Sequence, residues 1–372
     1  MVQMPGGRFI QRSFQNEQYL QFEADSSRTS AYYHAIDELV PGRVVLDLGT
    51  GALALLALRC ARAGARHVYA VEASPDVAQM ARHAVAAAGY AEQVTVLTGR
   101  SQELDLPQQV DVVVHELFGE IASSEGVAHA LRDALARHVC KRSLGRRAWS
   151  IPSRAATWAT PVELPPKAFF QEDRRNADAV SEAAGNLFDD PLFLHGFPVA
   201  DLALAEPMVL EELYFSEWSP VDNERSQDPR DSASPGSLEC QVQRLAFVVQ
   251  RAGSLAGFAF HITVDCGGSA PSTSSAEAGS HWAHGFITAK PSQRWPMQPE
   301  STHSLEHQVD CLIAASNQLA VKPGDVVELE FRVDLLPESP RYDISARLRR
   351  FGISRQAEWS DEELFDTAFI CG

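Results

Sequence analysis

Short apolar strands that alternate with helices in the first half of the chain constrain its fold more than any other feature. The first unit is a run of β-branched residues and leucine at 43–48, which ends in a Gly-Thr-Gly turn and continues into a helix rich in Ala and Leu. A second apolar run ends in Glu72, and two more lie at 94–97 and 110–114. This alternation predicts βαβ units and a parallel sheet, in which ligands bind at the carboxyl ends of the strands.

The pattern changes after 151–152, where extended runs with alternating polarity replace the helices. The clearest of these runs are 239–250, 255–264 and 326–333. They predict an all-β half, a barrel or a sandwich. The stretch at 165–199 fits neither half and is predicted to form a helical arm. Two stretches rich in Ser, Pro, Gly and charged residues, 219–237 and 267–280, predict mobile loops.

The sequence therefore predicts an α/β domain followed by a β domain. We expect a helical N-terminal segment at 1–40, a Rossmann-like domain at 41–152 and a β-barrel domain at 153–372 that includes the arm. The chain has 372 residues, a length that accommodates two domains.

Composition limits the partners. The formal net charge of −17 argues against a nucleic acid or an anionic membrane surface and is compatible with a cationic substrate. The six cysteines are scattered without a CxxC pair, so no metal site is predicted. The N-terminus has no apolar signal core, and no window approaches the roughly 18 apolar residues of a membrane span. We expect a soluble, cytoplasmic protein.

The glycine turn after the first strand suits a nucleotide-like ligand, but the phosphate-binding pattern GxGxxG is missing. The residues after Gly51 are Ala52, Leu53 and Ala54, and no P-loop lysine follows. This favours S-adenosylmethionine (AdoMet) over a dinucleotide. Glu72 is then placed to hold both ribose hydroxyls by charge-assisted hydrogen bonds. NAD would require the same acid, so the missing phosphate-binding features decide between the two ligands.

A loop that follows the strand at 110–114 carries two glutamates, Glu116 and Glu125, nine residues apart around small side chains. A guanidinium ion offers five N–H donors in a fixed fork, so two carboxylates on one loop can bind it from two edges. An ordinary solvated loop is the alternative, because glutamates at this spacing are common in acidic chains. The motifs upstream favour a guanidinium site.

From about Gln18 to the C-terminus, the chain resembles the protein arginine N-methyltransferase family. The matching motifs are Asp25, Arg28 and Tyr32 in DSSRTSAYY, Asp47, Gly49 and Gly51 in VLDLGTG, Glu72 in YAVEAS, the loop with Glu116 and Glu125, and Ser280-His281-Trp282. The glutamate loop is most similar to that of the monomethylating members. Three positions depart from the family pattern: Leu53 replaces a third glycine, Gln102 replaces an acid near the adenine, and His115 replaces the small residue that usually precedes the first glutamate.

The resemblance implies a role for each residue at the site. Glu116 and Glu125 would orient the guanidinium, and His281, paired with Asp25, would relay the released proton. Arg28 would bind the cofactor carboxylate. The residues implied in cofactor binding are Arg28, Asp47, Gly49, Gly51, Glu72, Ser101, Gln102 and Glu116. Those implied in substrate binding are Glu116, Glu125, Phe22, Tyr32 and Trp282, with Phe22 shaping the methyl pocket.

The function expected from these residues is AdoMet-dependent methylation of an arginine nitrogen in a protein or peptide. Methylation of free arginine or of another small guanidino or amine metabolite is the alternative enzyme. An inactive scaffold relative is the non-enzyme alternative. The resemblance also implies that the N-terminal helical segment covers the cofactor and that the arm forms a homodimer.

Overall fold

A five-stranded parallel sheet forms the first half of the molecule. The computed structural model describes residues 25–140, 149–183, 192–215, 236–277, 280, 282–288, 319–351 and 361–370. The sheet has the order β3-β2-β1-β4-β5, and its strands are β1 Val44–Leu48, β2 His67–Glu72, β3 Val94–Thr98, β4 Val112–His115 and β5 Ser150–Ile151. Every neighbouring pair is parallel. From the central strand β1 the sheet grows through β2 to β3 on one side, and β4 and β5 then add on the opposite side of β1. The direction of strand addition therefore reverses between β1 and β4.

In the described part of the chain, four helices accompany this sheet. They are α1 Ser26–Leu39, α2 Leu55–Arg62, α3 Pro75–Ala87 and α4 Val127–Arg137, and a short 3-10 helix lies at Ser101–Glu103. Local sequence explains where two of them begin. Asp25 caps α1 by accepting from the Arg28 amide at 3.1 Å, and Ser74 caps α3 ahead of Pro75 at its first position. The Rossmann-like half of the predicted fold is confirmed.

The second half is antiparallel. One sheet has the order β7-β13-β11-β6-β8, with β12 paired to β11, and another has the order β17-β16-β15-β9. Strands β10 and β14 form a separate pair. The strands are β6 Arg154–Val162, β7 Leu192–Leu194, β8 Met208–Tyr214, β9 Cys240–Val248, β10 Gly253–Leu255, β11 Gly257–Asp265, β12 Thr273–Ser274, β13 His284–Thr288, β14 Leu319–Val321, β15 Val326–Asp334, β16 Arg341–Arg349 and β17 Asp361–Ile370. The antiparallel half is confirmed, whereas its closure into a barrel stays a prediction.

Among its described residues, the expected arm is helical from 167 to 183. It contains α5 Lys167–Glu172 and α6 Arg174–Ala183, which pack around Phe170 and Val180. Strand β7 then pairs with β13, so the end of the 165–199 range belongs to a sheet. The short helix α7 Val199–Leu202 follows. The stretch therefore combines helices with an edge strand.

One apolar core runs through both halves. It joins Ile36 of α1 and Leu46 of β1 to Phe258 and Tyr342 of the antiparallel sheets, all of them buried. Burial of such side chains is the main favourable contribution to folding, at roughly 25 cal/mol per Å². The two halves therefore hold a fixed position relative to each other, which allows residues from both to build one site.

The two stretches expected to be mobile loops differ in how far the structure describes them. In the described part of 267–280, Ser269 donates from its amide and hydroxyl to Glu38 of α1 at 2.9 and 2.7 Å, and Thr273 lies 3.2 Å from the Ser27 hydroxyl. This part is docked on α1 and is not a free loop. Residues 219–235 lie outside the described residues. No helix in the described part of the chain is both long and apolar enough to span a bilayer.

Candidate functional site

The candidate site lies at the carboxyl ends of β1 and β4. Leu48 and His115 are register partners in these two strands, so the glycine turn after β1 and Glu116 after β4 leave the sheet side by side. In open α/β sheets, a crevice forms where the strand order reverses, and ligands bind there. The fold therefore brings together the two motifs that the sequence singled out.

The glycine turn is fixed by backbone geometry and by contact with the glutamate loop. Gly49 has φ +74, a conformation that residues with a side chain adopt at a cost, and a Cβ there would lie 3.0 Å from Leu117. The amides of Gly49 and Thr50 both donate to the Val71 carbonyl at 3.0 Å. A glycine at this position lets the turn and the loop approach each other closely.

Glu72 lies at the rim of this turn. Its carboxylate accepts from the Gly51 amide at 3.2 Å through one oxygen and from the Ser74 amide at 2.9 Å through the other. Each carboxylate oxygen can accept a further hydrogen bond, and the side chain is only half-buried. Glu72 can therefore bind two neighbouring hydroxyl groups while it holds the turn.

Asp47 lies beneath the turn and is 1% exposed. It accepts from the Thr50 hydroxyl at 2.6 Å and from the Ala57 backbone. Burial raises the pKa of Asp47 to about 7, although these hydrogen bonds oppose the rise. In this position Asp47 orders the turn and the start of α2, and its direct contact with a cofactor stays a prediction.

Ser101 and Gln102 form the short 3-10 helix that follows β3, on the same edge of the sheet. Ser101 is buried, and its carbonyl accepts from His138 at 3.1 Å and from Arg137 at 3.3 Å. Its hydroxyl donates to the Gln102 side chain at 3.3 Å. Both residues lie where an adenine is expected, next to the strand that follows Glu72.

Glu116 is held by two donors from distant parts of the chain. The Arg28 guanidinium donates to one carboxylate oxygen at 3.0 Å, and the Trp282 indole N–H donates to the other at 3.1 Å. The Arg28 and Glu116 side chains are only 6% and 14% exposed. Glu116 therefore already binds a guanidinium, the group that the loop is predicted to recognise.

Glu125 shares its surroundings with two other carboxylates. Glu125 is exposed as a residue, although its carboxyl group lies close enough to the rest of the loop to be partly desolvated. Desolvation first, and then the charges of Glu116 and Glu120, raise the pKa of Glu125 well above its ordinary value. A cation bound between Glu116 and Glu125 would relieve this repulsion. The loop therefore concentrates negative charge where a guanidinium is expected.

Two other predicted residues, Tyr32 and Asp25, belong to α1 and to its N-cap. Tyr32 is fully buried, and its hydroxyl donates to the His115 carbonyl at 3.1 Å, just before Glu116. Burial raises the pKa of Tyr32 well above its ordinary value. Asp25 is also buried and caps α1 through the Arg28 amide. A direct role of either residue toward a substrate stays a prediction, and Phe22 and His281 lie outside the described residues.

His115 is a buried residue of the strand end. Its Nε2 lies 3.2 Å from the Ser150 hydroxyl, which donates to the Pro152 carbonyl, so the histidine is the donor to Ser150. Phe118 and Phe215 pack edge-on against the ring. Burial lowers the pKa of His115 to about 3, so the ring is neutral and structural at physiological pH.

Sequence reasoning missed the residues that hold the middle of the glutamate loop. The Ala122 amide donates to Thr157 at 2.8 Å, and Ser123 donates to Glu211, both partners being buried strand residues of the second half. The one signal in the sequence is a glutamate pair inside the apolar strand β8. No cluster of three or more His, Cys, Asp or Glu among the described residues could hold a metal ion.

Comparison with known proteins gives partial matches in sequence. Residues 45–139 match the family model of a methyltransferase domain. The chain is 35% identical over 144 residues to the probable protein arginine N-methyltransferase 6 of Arabidopsis thaliana, which covers 38% of this chain and 32% of that protein. It is 33% identical over 168 residues to protein arginine N-methyltransferase 2 of Dictyostelium discoideum, which covers 42% of this chain and 31% of that protein. The matches span about a third of the length of these relatives.

Solved structures match over nearly the whole chain. The enzyme–prozyme heterotetrameric complex of Trypanosoma brucei PRMT1 with AdoHcy has a TM-score of 0.64 at 18% identity and covers 93% of this chain and 96% of that chain. Arabidopsis thaliana protein arginine methyltransferase 10 has a TM-score of 0.65 at 18% identity and covers 95% of this chain and 97% of that chain. At this identity the similarity shows the fold alone. The first of these proteins is a heterotetramer, so a homodimer is not confirmed for this chain.

Proposed function

We propose that this chain is an AdoMet-dependent arginine N-methyltransferase that acts on a protein or peptide. The observation that carries the proposal is Glu116, whose carboxylate accepts from the Arg28 guanidinium at the switch point of the parallel sheet. On the same loop, the charge of Glu116 contributes to the raised pKa of Glu125. The methyltransferase domain match and the names of the relatives support the same reaction class.

The described residues fit AdoMet. The half-buried Glu72 carboxylate has acceptor capacity left for two ribose hydroxyls, and the glycine turn presents backbone without side chains at Gly49 and Gly51. Arg28 has enough N–H donors to bind Glu116 and the cofactor carboxylate together. Ser101 and Gln102 would read the adenine. Asp47 would act by ordering the turn.

Catalysis would rest on charge and orientation. When bound, AdoMet supplies an electrophilic methyl group, so transfer forms an N–C bond and leaves AdoHcy. A guanidinium is a poor nucleophile because it holds its proton with a pKa above about 12. Glu116 and Glu125 would bind its fork, draw the positive charge to the far nitrogens and leave lone-pair character on the attacking one. His281, paired with Asp25, would accept the released proton.

A polypeptide is the substrate that we favour. The net charge of −17 attracts arginine-rich chains, and this attraction weakens as salt is added. A monomethylated product is proposed, because the glutamate loop resembles that of monomethylating members and Phe22 would narrow the methyl pocket. The helical arm is proposed to form a homodimer.

The test compares three variants of the same loop. Glu116→Gln and Glu125→Gln keep the shape of the side chain and remove its charge, so we expect AdoHcy binding to persist and methylation of an arginine-rich peptide to fall by about 100-fold. Glu120→Gln removes a charge from the same loop and serves as the matched control. Calorimetry with AdoHcy and mass spectrometry of the peptide give the two readouts.

Two results would contradict the proposal. Near wild-type rates in Glu116→Gln or Glu125→Gln would mean that these glutamates do not bind the substrate, and an equal loss in Glu120→Gln would mean that only the total charge matters. Faster turnover on free arginine than on the peptide, with little effect of salt, would move the substrate to small guanidino compounds. Calorimetric binding of AdoHcy without methylation of either substrate would favour an inactive relative.

A further inference from the structure

A carboxyl group is buried beneath the glutamate loop, in the second half of the molecule. Glu211 lies in β8 and is 0% exposed. It is the register partner of Thr157 in β6, and the pairing of these strands shifts between Thr157 and Trp158. The irregularity falls at the point where the two side chains meet the loop. Irregularities of this kind re-aim side chains and are common beside functional sites.

Among the described residues, each donor to the Glu211 side chain either belongs to the loop or contacts it. The Ser123 hydroxyl donates to one oxygen at 2.6 Å, and the Ser123 amide and the Thr157 hydroxyl donate to the other at 3.3 and 3.2 Å. Thr157 in turn accepts from the Ala122 amide at 2.8 Å. Glu211 thereby fixes two consecutive amides of the loop.

The direction of the network follows from its hydrogens. The Ser123 hydroxyl gives its only hydrogen to Glu211, so the Tyr342 hydroxyl, 2.6 Å from it, must be the donor to Ser123. Donors from the loop and β6 therefore point toward one carboxylate, and Tyr342 of β16 donates to the loop residue Ser123. An ionised carboxylate accepts three such bonds, whereas an amide in its place would turn an N–H₂ group toward at least one of these donors.

Burial of a carboxyl group costs free energy, since the charged form loses its hydration, and no cation among the described residues pairs with Glu211. An apolar side chain of similar size would pack in β8 without that cost. We therefore expect Glu211 to act by ordering the segment that it binds. The ordered segment is the turn at 121–126, in which Ser124 donates to the Ile121 carbonyl and Gly126 to the Ser123 carbonyl, both at 2.9 Å. Glu125 lies within this turn.

We propose that Glu211 is a positioning residue that fixes the glutamate loop so that Glu125 faces Glu116. This inference rests on the proposed function, because it assigns the effect of Glu211 to substrate binding by the two loop glutamates. Glu211 does not reach the site itself. It acts through Ser123, two residues before Glu125, and through Thr157.

The experiment separates the substrate from the cofactor. For Glu211→Gln we expect kcat/KM on an arginine-rich peptide to fall by at least about 10-fold while the Kd for AdoHcy changes by less than about 3-fold. Glu212→Gln is the matched control, since Glu212 is the next residue of β8 and forms an ion pair with Arg154 instead. Thr157→Ser keeps the hydroxyl and should retain activity, whereas Thr157→Val keeps the shape and should lose it.

A second measurement needs no turnover. Hydrogen exchange, followed by mass spectrometry of the segment 117–126, should be faster in Glu211→Gln and unchanged in Glu212→Gln. If the wild-type protein methylates neither peptide nor free arginine, the proposed function fails, and exchange alone decides whether Glu211 holds the loop. Unchanged exchange in Glu211→Gln would overturn the inference, as would wild-type kcat/KM or an equal loss in Thr157→Ser and Thr157→Val.

Discussion

The ion pair between Arg28 and Glu116 provides the sharpest test of the site geometry, because it can be measured without any substrate. The two side chains are 6% and 14% exposed, and their closest atoms lie 3.0 Å apart. Arg28→Met removes the guanidinium and keeps most of the volume, which leaves Glu116 with a largely buried negative charge. Removal of one partner of a buried pair costs about 3–5 kcal/mol, and because Glu116 is slightly exposed we expect a loss of about 3 kcal/mol.

A double-mutant cycle isolates the pair from other losses. Arg28→Met also removes the stacking of the guanidinium on Tyr32, 5.4 Å from the ring centre, but that loss is the same whichever residue stands at position 116. Glu116→Gln keeps an oxygen for the Trp282 indole and removes the charge. We expect the double variant to be more stable than the sum of the single losses implies, by about 2 kcal/mol.

The assay is urea unfolding of the four proteins at low and high salt, with the free energy of unfolding compared under identical conditions. Arg28→Lys serves as a further control, because it keeps the charge but not the fork and should lie between the wild type and Arg28→Met. Losses that add within about 0.5 kcal/mol would refute the reasoning, since independent sites behave in this way. Such a result would mean that Arg28 and Glu116 do not interact in solution.

Glu72, Glu211 and Gly126 each make a contact whose effect can be measured separately. Glu72→Gln should weaken AdoHcy binding by about 1.5–3 kcal/mol in calorimetry, because charge-assisted hydrogen bonds to the ribose are lost, and unchanged affinity would remove Glu72 from the cofactor site. Burial raises the pKa of Glu211 from 4.5 to about 7, so the folded protein binds the carboxyl proton more tightly than the unfolded chain does. The free energy of unfolding of the wild type, relative to that of Glu211→Gln, should therefore fall by about 3 kcal/mol as the pH rises from 4.5 to 7. A difference between the two proteins that does not vary with pH would contradict this. Gly126→Ala should lower the free energy of unfolding more than Gly42→Ala, because both glycines have positive φ but only a Cβ at Gly126 would overlap the Glu338 carbonyl; equal losses would show that the overlap is relieved.

The sequence predicted the parts of the fold that depend on local pattern. Apolar runs marked the strands from β1 to β4 within two residues of their observed bounds, and the turn residues marked their ends. Glu72 and Glu116 could be predicted because each stands at the carboxyl end of such a strand. In a parallel sheet these ends lie along one edge, so residues there come close together. The departure of the second half from helical periodicity was also readable, since strands alternate with a period of two.

Contacts between distant segments could not be predicted in the same way. Arg28 and Glu116 are 88 residues apart, and their pairing depends on how α1 packs over the sheet. Glu211 meets Ser123 only because of the register between β6 and β8, which sequence pattern does not specify at an irregular position. At 267–277, sequence pattern predicted a mobile loop because the stretch is rich in Ser and Thr. Hydroxyls of this stretch instead form hydrogen bonds with α1.

Two buried carboxyl groups, Asp47 and Glu211, order the site but lower the stability of the folded protein at neutral pH. Asp47 and Glu211 both have a pKa raised to about 7 by burial, so each lowers the stability of the fold as the pH rises toward neutrality. Both lie directly beneath the site, Asp47 under the glycine turn and Glu211 under the glutamate loop. Each holds its segment through a hydroxyl, Thr50 in one case and Ser123 in the other. A fold selected for stability alone would place apolar side chains at these two positions. The two carboxyls lower stability, and they do so where two binding loops must be held rigid.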